Sequence, residues 1–216
     1  RRLNGLKPTR PLVYARRFAW QEMPDCRSEC ADPLLASIEK GVFRRKLFWA
    51  TLNDDAVFEP WITIPAVYRL PGGDPFPANP IKDTQVWGPE FQWLASGAKG
   101  GAGRWIPPLK DTADLRQMVA PRHIIDEEAT RTRVEKIQDA IGDIIPITVD
   151  RGPAYKSYLA DISTHLALLR GLEQMMFDMT DNAAWLHRLL AFMRDGILTV
   201  QDEAEKAGDW CRTSGF

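Results

Sequence analysis

Three short apolar runs in this chain lead directly into charged residues of the kinds that do chemistry. Pro11-Leu12-Val13-Tyr14-Ala15 is followed by Arg16 and Arg17, and Asp55-Ala56-Val57-Phe58 by Glu59. Ile144-Ile145-Pro146-Ile147-Thr148-Val149 ends on Asp150 and Arg151, before Gly152-Pro153. Guanidinium groups grip carboxylates and phosphates through paired, planar hydrogen bonds, so Arg16, Arg17 and Arg151 are candidate substrate cations. Glu59 and Asp150 are the carboxylates placed to move protons or balance those cations. The alternative role is structural: Arg16 or Arg17 closing an ion pair with Glu59 or Asp150, because cations at a strand end are costly unless paired.

Such residues act together only if the elements beneath them bring the run ends to one place. Apolar, β-branched runs bounded by charges and Gly-Pro breakers read as buried strands. Long amphipathic stretches separate them. Asp32-Pro33 is an N-cap followed by the ring suited to the first helical position, and Leu34, Leu35, Ile38, Val42 and Leu47 follow at helical spacing. Spacing predicts further helices over 126–140, ended by Gly142, and over 157–170, and a last long helix capped by Asp181 and ending near Gly208. Strand, helix, strand, helix, strand favours a parallel sheet with helices outside it, and in such sheets sites collect at the carboxyl ends of the strands. Between the second and third runs, 71–80 and 97–103 read as long loops, and Trp87 to Trp93 as either a hairpin strand or an aromatic plug. After Gly208 no further apolar run begins, which leaves a three-stranded sheet with a bare edge and implies part of a larger fold.

Bulk properties narrow the function classes. The 216 residues, 44% hydrophobic and 26% charged, suffice for one domain spanning 1–216. Twenty-eight Lys and Arg against 29 Asp and Glu leave a net charge of -1, with no whole-chain footprint for nucleic acid or an anionic membrane. No apolar run reaches the roughly 18 residues that span a bilayer, and three cysteines argue against a disulfide framework, so the expected location is the cytoplasm. Cys26 and Cys30 lie one helical turn apart but have no third ligand at metal spacing, and no metal site is assigned. His123, His165 and His187 are scattered; His165 and His187 fall within expected helices and read as packing or surface residues, and the Met175, Met176, Met179 group as core filler.

Several of these segments together resemble the uroporphyrinogen decarboxylase superfamily, which also contains cobamide-dependent methyltransferases. The similar pieces, in chain order, are Arg10 to Arg17, the Asp32-Pro33 helix, Asp54-Asp55-Ala56-Val57, WIPPLKDTADL from Trp105 to Leu115, and LLRGLEQMMFDMTDNAAWLHRLLAFM from Leu168 to Met193. The resemblance implies an α/β fold of the (β/α)₈ TIM-barrel type, with only the first three strands and their helices in this chain. It implies substrate binding by Arg16, Arg17, Trp20 and Arg151 and catalysis by Glu59, Asp150 and Tyr158. Arg16 matches the first arginine of the decarboxylases' strand-one motif, but Arg17 replaces its glutamine and Trp20 stands where its second arginine belongs. Phe58-Glu59-Pro60 replaces the Phe-Ser-Asp at the end of strand two, so the essential aspartate is missing.

Those departures shift the expectation away from decarboxylation of a tetrapyrrole. They favour methyl transfer from a methylated corrinoid to a thiol or pterin. The implied partners are a cobamide, free or on a carrier protein, and a second copy of the chain as a homodimer. Zinc, where thiol-using relatives hold it, would be bound by residues of later strands outside this chain. A third expectation is an inactive partial barrel that serves as an assembly partner through its bare sheet edge.

Overall fold

The computed structural model describes residues 5–13, 27–52, 54–76, 84–90, 92–97, 103–155 and 162–210. The protein is mixed α/β, and its described strands form two small two-stranded sheets. The chain divides into two compact units, residues 1–62 with 135–148 and residues 63–134 with 149–216.

Strand β1 (Ile62–Pro65) pairs with β4 (Ile147–Asp150). The Ile62 amide donates to the Pro146 carbonyl at 3.0 Å and the Ala66 amide to the Asp150 carbonyl at 2.9 Å. Both partners advance by four residues, so the strands run parallel, as a pair joined through a helix must. That helix is α3 (Glu127–Ile141), begun by Asp126, whose Oδ1 accepts the Ala129 amide at 2.9 Å. The expected third strand and the helix before it are therefore present.

The second expected strand is displaced. Asp55 to Phe58 forms no ladder, and β1 begins at Ile62 instead. Asp54 Oδ1 accepts the Ala56 amide at 2.9 Å, and Asp55 Oδ2 accepts the Val13 amide at 2.9 Å. These short acidic side chains bond backbone that a strand would need, and Val57 is left 81% exposed. Ile62 and Ile64 are buried while Thr63 and Pro65 are exposed, the period-two pattern of a strand with one covered face. Pro11 to Val13, the described part of the first expected strand, is exposed and lies in no ladder. Its link to Asp55 is a single backbone bond, the Asp55 amide donating to the Val13 carbonyl at 2.8 Å, reinforced by the Asp55 side chain, to which Arg10 Nη1 also donates at 2.8 Å. A sheet of three parallel strands is thus not formed among the described residues.

In the first unit, Asp32 caps α1 (Pro33–Ile38) as its sequence demands, Oδ1 accepting the amides of Leu34 and Leu35 at 3.0 and 3.1 Å. A π-helical turn, Glu39–Arg44, separates α1 from α2 (Arg45–Thr51). The wider turn rotates everything after it relative to an α-helical register, so Leu47, expected on the buried face, is 70% exposed. Glu39 turns back on the preceding loop. It accepts from Ser28 Oγ at 2.6 Å, from the Glu29 and Cys30 amides, and from Arg44 Nε at 2.7 Å.

In the second unit, α4 (Ile162–Arg170), α5 (Leu172–Asp181) and α6 (Ala183–Lys206) pack around a core that includes Trp87, Tyr155, Leu169, Leu189 and Met193. Both readings of the aromatic stretch hold, one for each tryptophan. Trp87, on a short 3₁₀ turn (Thr84–Trp87), is fully buried, while β2 (Gln92–Leu94) forms an antiparallel pair with β3 (Arg104–Ile106) that sets Trp93 across from Trp105. Gly196 of α6 permits the Trp87 indole to lie against it, since a Cβ there would come 2.9 Å from the ring. The start of α6 differs from expectation: Asn182 occupies the N-cap position and Asp181 closes α5. Its end is as expected, with Gly208 at φ 74 just beyond Lys206.

Candidate functional site

The carboxyl end of β4 delivers Asp150 and Arg151 into the second unit. Asp150 is half-buried, and its Oδ1 accepts the Gly152 amide at 3.0 Å while its carbonyl joins the β1 ladder. Tyr68, just past β1, donates its hydroxyl to the Gly152 carbonyl at 2.8 Å and tightens the same turn. Arg151 then reaches two carboxylates. Its Nη1 and Nη2 donate to the two oxygens of Glu127 at 2.9 and 2.6 Å, and its Nε donates to Asp209 Oδ1 at 2.5 Å. Glu127 opens α3 and Asp209 follows α6, so one guanidinium ties the starts and ends of three elements together.

His123 extends this network. Its Nδ1 accepts the Ala154 amide at 3.2 Å, which fixes the proton on Nε2, and Nε2 lies 3.1 Å from Asp209 Oδ2. The ring is nearly inaccessible, its side chain only 3% exposed, and neither nitrogen keeps a lone pair for proton abstraction. The His123 amide donates to Glu203 Oε2 at 2.9 Å, and Arg122 Nε donates to Glu203 Oε1 at 2.5 Å.

Electrostatics follow the geometry. Burial alone would raise the Asp209 carboxyl, but hydrogen bonds from Arg151 and His123 outweigh it and hold Asp209 below the usual carboxylate range. Glu203 behaves alike, its burial outweighed by Arg122 and the His123 amide. Arg151, bonded first by Glu127 and then by Asp209, is pushed above the ordinary arginine value and stays charged at every relevant pH. Beside this network an open cleft of about 410 Å³ is lined by Pro71, Arg122, His123, Ile124, Glu203 and Lys206.

A second polar node is fully buried. Arg170 Nε and Nη2 donate to the two oxygens of Asp178 at 2.6 and 2.9 Å, and Arg170 Nη1 donates to the Leu109 carbonyl at 2.9 Å. Gln174 and Asn182 donate to Asp178 Oδ1 at 3.2 and 3.1 Å, and the guanidinium stacks 4.6 Å from the centre of the Trp185 ring. Gly171 at φ 84 turns the chain between the two partners. The Arg-Gly and Met-Met-x-Asp stretch picked out by resemblance is thus a packing device. A third node joins His165, Tyr155 and Trp87: Trp87 Nε1 donates to His165 Nδ1 at 3.0 Å, and the Tyr155 hydroxyl also contacts that nitrogen. The reading of His165 as a packing histidine holds, since it is 1% exposed.

Of the expected site residues, Asp150 and Arg151 come together at the end of β4. Glu59 belongs to the first unit, where its carbonyl accepts Lys46 Nζ at 3.3 Å. Arg16, Arg17, Trp20 and Tyr158 lie outside the described residues, as does Cys26. Cys30 is exposed, its thiol pushed up by hydrogen bonding to Glu39. Among the described residues no three His, Cys, Asp or Glu side chains are grouped as metal ligands, and no helix is long and apolar enough to cross a membrane. The sequence reading missed Glu127, Asp209 and Glu203, whose partners lie 24 to 81 residues away. Met176 and Met179, read as core filler, are 67% and 57% exposed, because α5 turns only Met175 toward the core. No family model, curated protein or solved structure matches this chain.

Proposed function

We propose that this chain is part of a (β/α)₈-barrel enzyme of the uroporphyrinogen decarboxylase superfamily, acting in methyl transfer from a methylated corrinoid to a thiol or pterin. The observation that carries the reading is the parallel β1, α3, β4 unit, whose carboxyl end presents Asp150 and Arg151, where barrel enzymes place their chemistry. Commitment of Arg151 to Glu127 and Asp209 favours methyl transfer over the decarboxylase alternative, since a polycarboxylate substrate needs uncommitted guanidinium groups.

A corrin macrocycle is far larger than the 410 Å³ cleft, and the described Cys and His residues make no zinc set. We accordingly propose that the methylated corrinoid is presented on a carrier protein rather than held in that cleft. Methylcobalamin mixed with the protein and a thiol or a tetrahydropterin should lose its methyl-cobalt absorption faster than without protein. Turnover of uroporphyrinogen to coproporphyrinogen, with no such spectral change, would replace this reading with the decarboxylase.

A further inference from the structure

The cleft beside the ion network carries charge that the network does not use. Glu203 has both oxygens occupied, Oε1 by Arg122 and Oε2 by the His123 amide. His123 has both ring nitrogens occupied, by Ala154 and Asp209. Lys206, three residues beyond Glu203 on the same face of α6, makes no hydrogen bond or ion pair among the described residues. Arg122 uses Nε and Nη2 on Glu203, and its Nη1 has no partner among the described residues, with the side chain 54% exposed. Lys206 Nζ and Arg122 Nη1 are thus the uncommitted cationic donors of the lining, set beside a carboxylate whose two oxygens are both bonded. Pro71 and Ile124 complete the wall with apolar surface, and about 410 Å³ is at the small end of ligand sites.

We propose that this cleft binds a small organic monocarboxylate, with the carboxylate held by Lys206 Nζ and Arg122 Nη1 and a short apolar body against Pro71 and Ile124. Two cationic donors suit the two oxygens of one carboxylate, and the apolar wall suits an organic acid better than a bare inorganic ion. The proposal stands independently of the methyl-transfer reading.

Benzoate is the probe, with benzyl alcohol as its uncharged counterpart. Amide resonances of Ile124 and Glu203 should shift saturably with benzoate at a dissociation constant of roughly millimolar order, as expected for so few atoms. Benzyl alcohol should shift them much less. Lys206→Gln, at an exposed helix end, should keep the melting temperature and weaken benzoate about fivefold, the upper range for one exposed charge pair. Absence of saturation, equal binding of the alcohol, or full affinity in Lys206→Gln would each overturn the proposal.

Discussion

Two arginine-carboxylate nodes in the second unit use one chemistry in opposite settings. Arg170 and Asp178 have side chains 3% and 0% exposed, lie eight residues apart, and take further donors locally from Gln174 and Asn182 and one acceptor, the Leu109 carbonyl, from 61 residues away. Arg151 is 33% exposed and gathers Glu127 and Asp209 from segments 24 and 58 residues away. The buried node cannot lose one member without stranding a charge, whereas at the more open one water can replace Glu127, which is 67% exposed. The first is therefore a folding device, and at the second the loss of a partner costs less because water reaches the guanidinium.

The sharpest test of that contrast is to empty half of the buried node. Arg170→Met should destabilise the protein by roughly 3–5 kcal/mol in urea unfolding, because Asp178 is left as an unpaired buried carboxylate. Arg170→Met with Asp178→Leu should recover much of that loss, since matched apolar replacement removes the stranded charge. A double variant as unstable as the single one would show that the geometry of the pair, and not its charge balance, supports the packing.

Acid should act on both nodes at once. Hydrogen bonding to Arg170, Gln174 and Asn182 holds Asp178 below its ordinary value in spite of burial, and Asp209, Glu203 and Glu127 are likewise lowered. A carboxyl lowered on folding contributes stability above its unfolded pKa of about 4 and loses it as pH falls through the folded value. Melting temperature should therefore stay level from about pH 7 to 5 and fall steeply below about pH 4. A melting temperature that instead rose below pH 4 would contradict ionised native carboxylates at these sites.

The smallest effect belongs to the open node. Arg151→Met should destabilise by about 1–2 kcal/mol, the range for charge-assisted hydrogen bonds partly accessible to water. That loss should shrink in about 1 M salt, where the Debye length falls to roughly 3 Å, while the Arg170→Met loss should not. Equal salt sensitivity for the two variants would erase the distinction between the nodes.

Some of the organisation was legible because its causes are local. Asp32 before Pro33 and Asp126 before Glu127-Glu128 offer side-chain acceptors to the first free amides of a helix, whatever surrounds them. Gly208 supplies the left-handed turn that ends α6, and the Ile147–Asp150 run makes a strand because β-branched side chains fit a pleated surface. The second strand was misplaced although the better signal was present. Ile62 and Ile64 alternate with Thr63 and Pro65, whereas Asp54 and Asp55 favour turns, so the period-two pattern outranked the apolar run.

By itself, then, the sequence determined the cap of α1, the end of α6 and one strand, since each depends on groups within a few residues of one another. The tertiary structure decided where the charges go. Arg151 looked like a free strand-end cation, and only folding brings Asp209 to it from 58 residues away. Arg170, Gly171 and Asp178 fall in the Leu168 to Met193 stretch that carries the resemblance, and burial against Trp185 and Leu109 makes them a packing node. Long-range ion pairing leaves no periodic trace in a sequence, because either sign of charge is equally acceptable on an exposed face until a partner is folded against it.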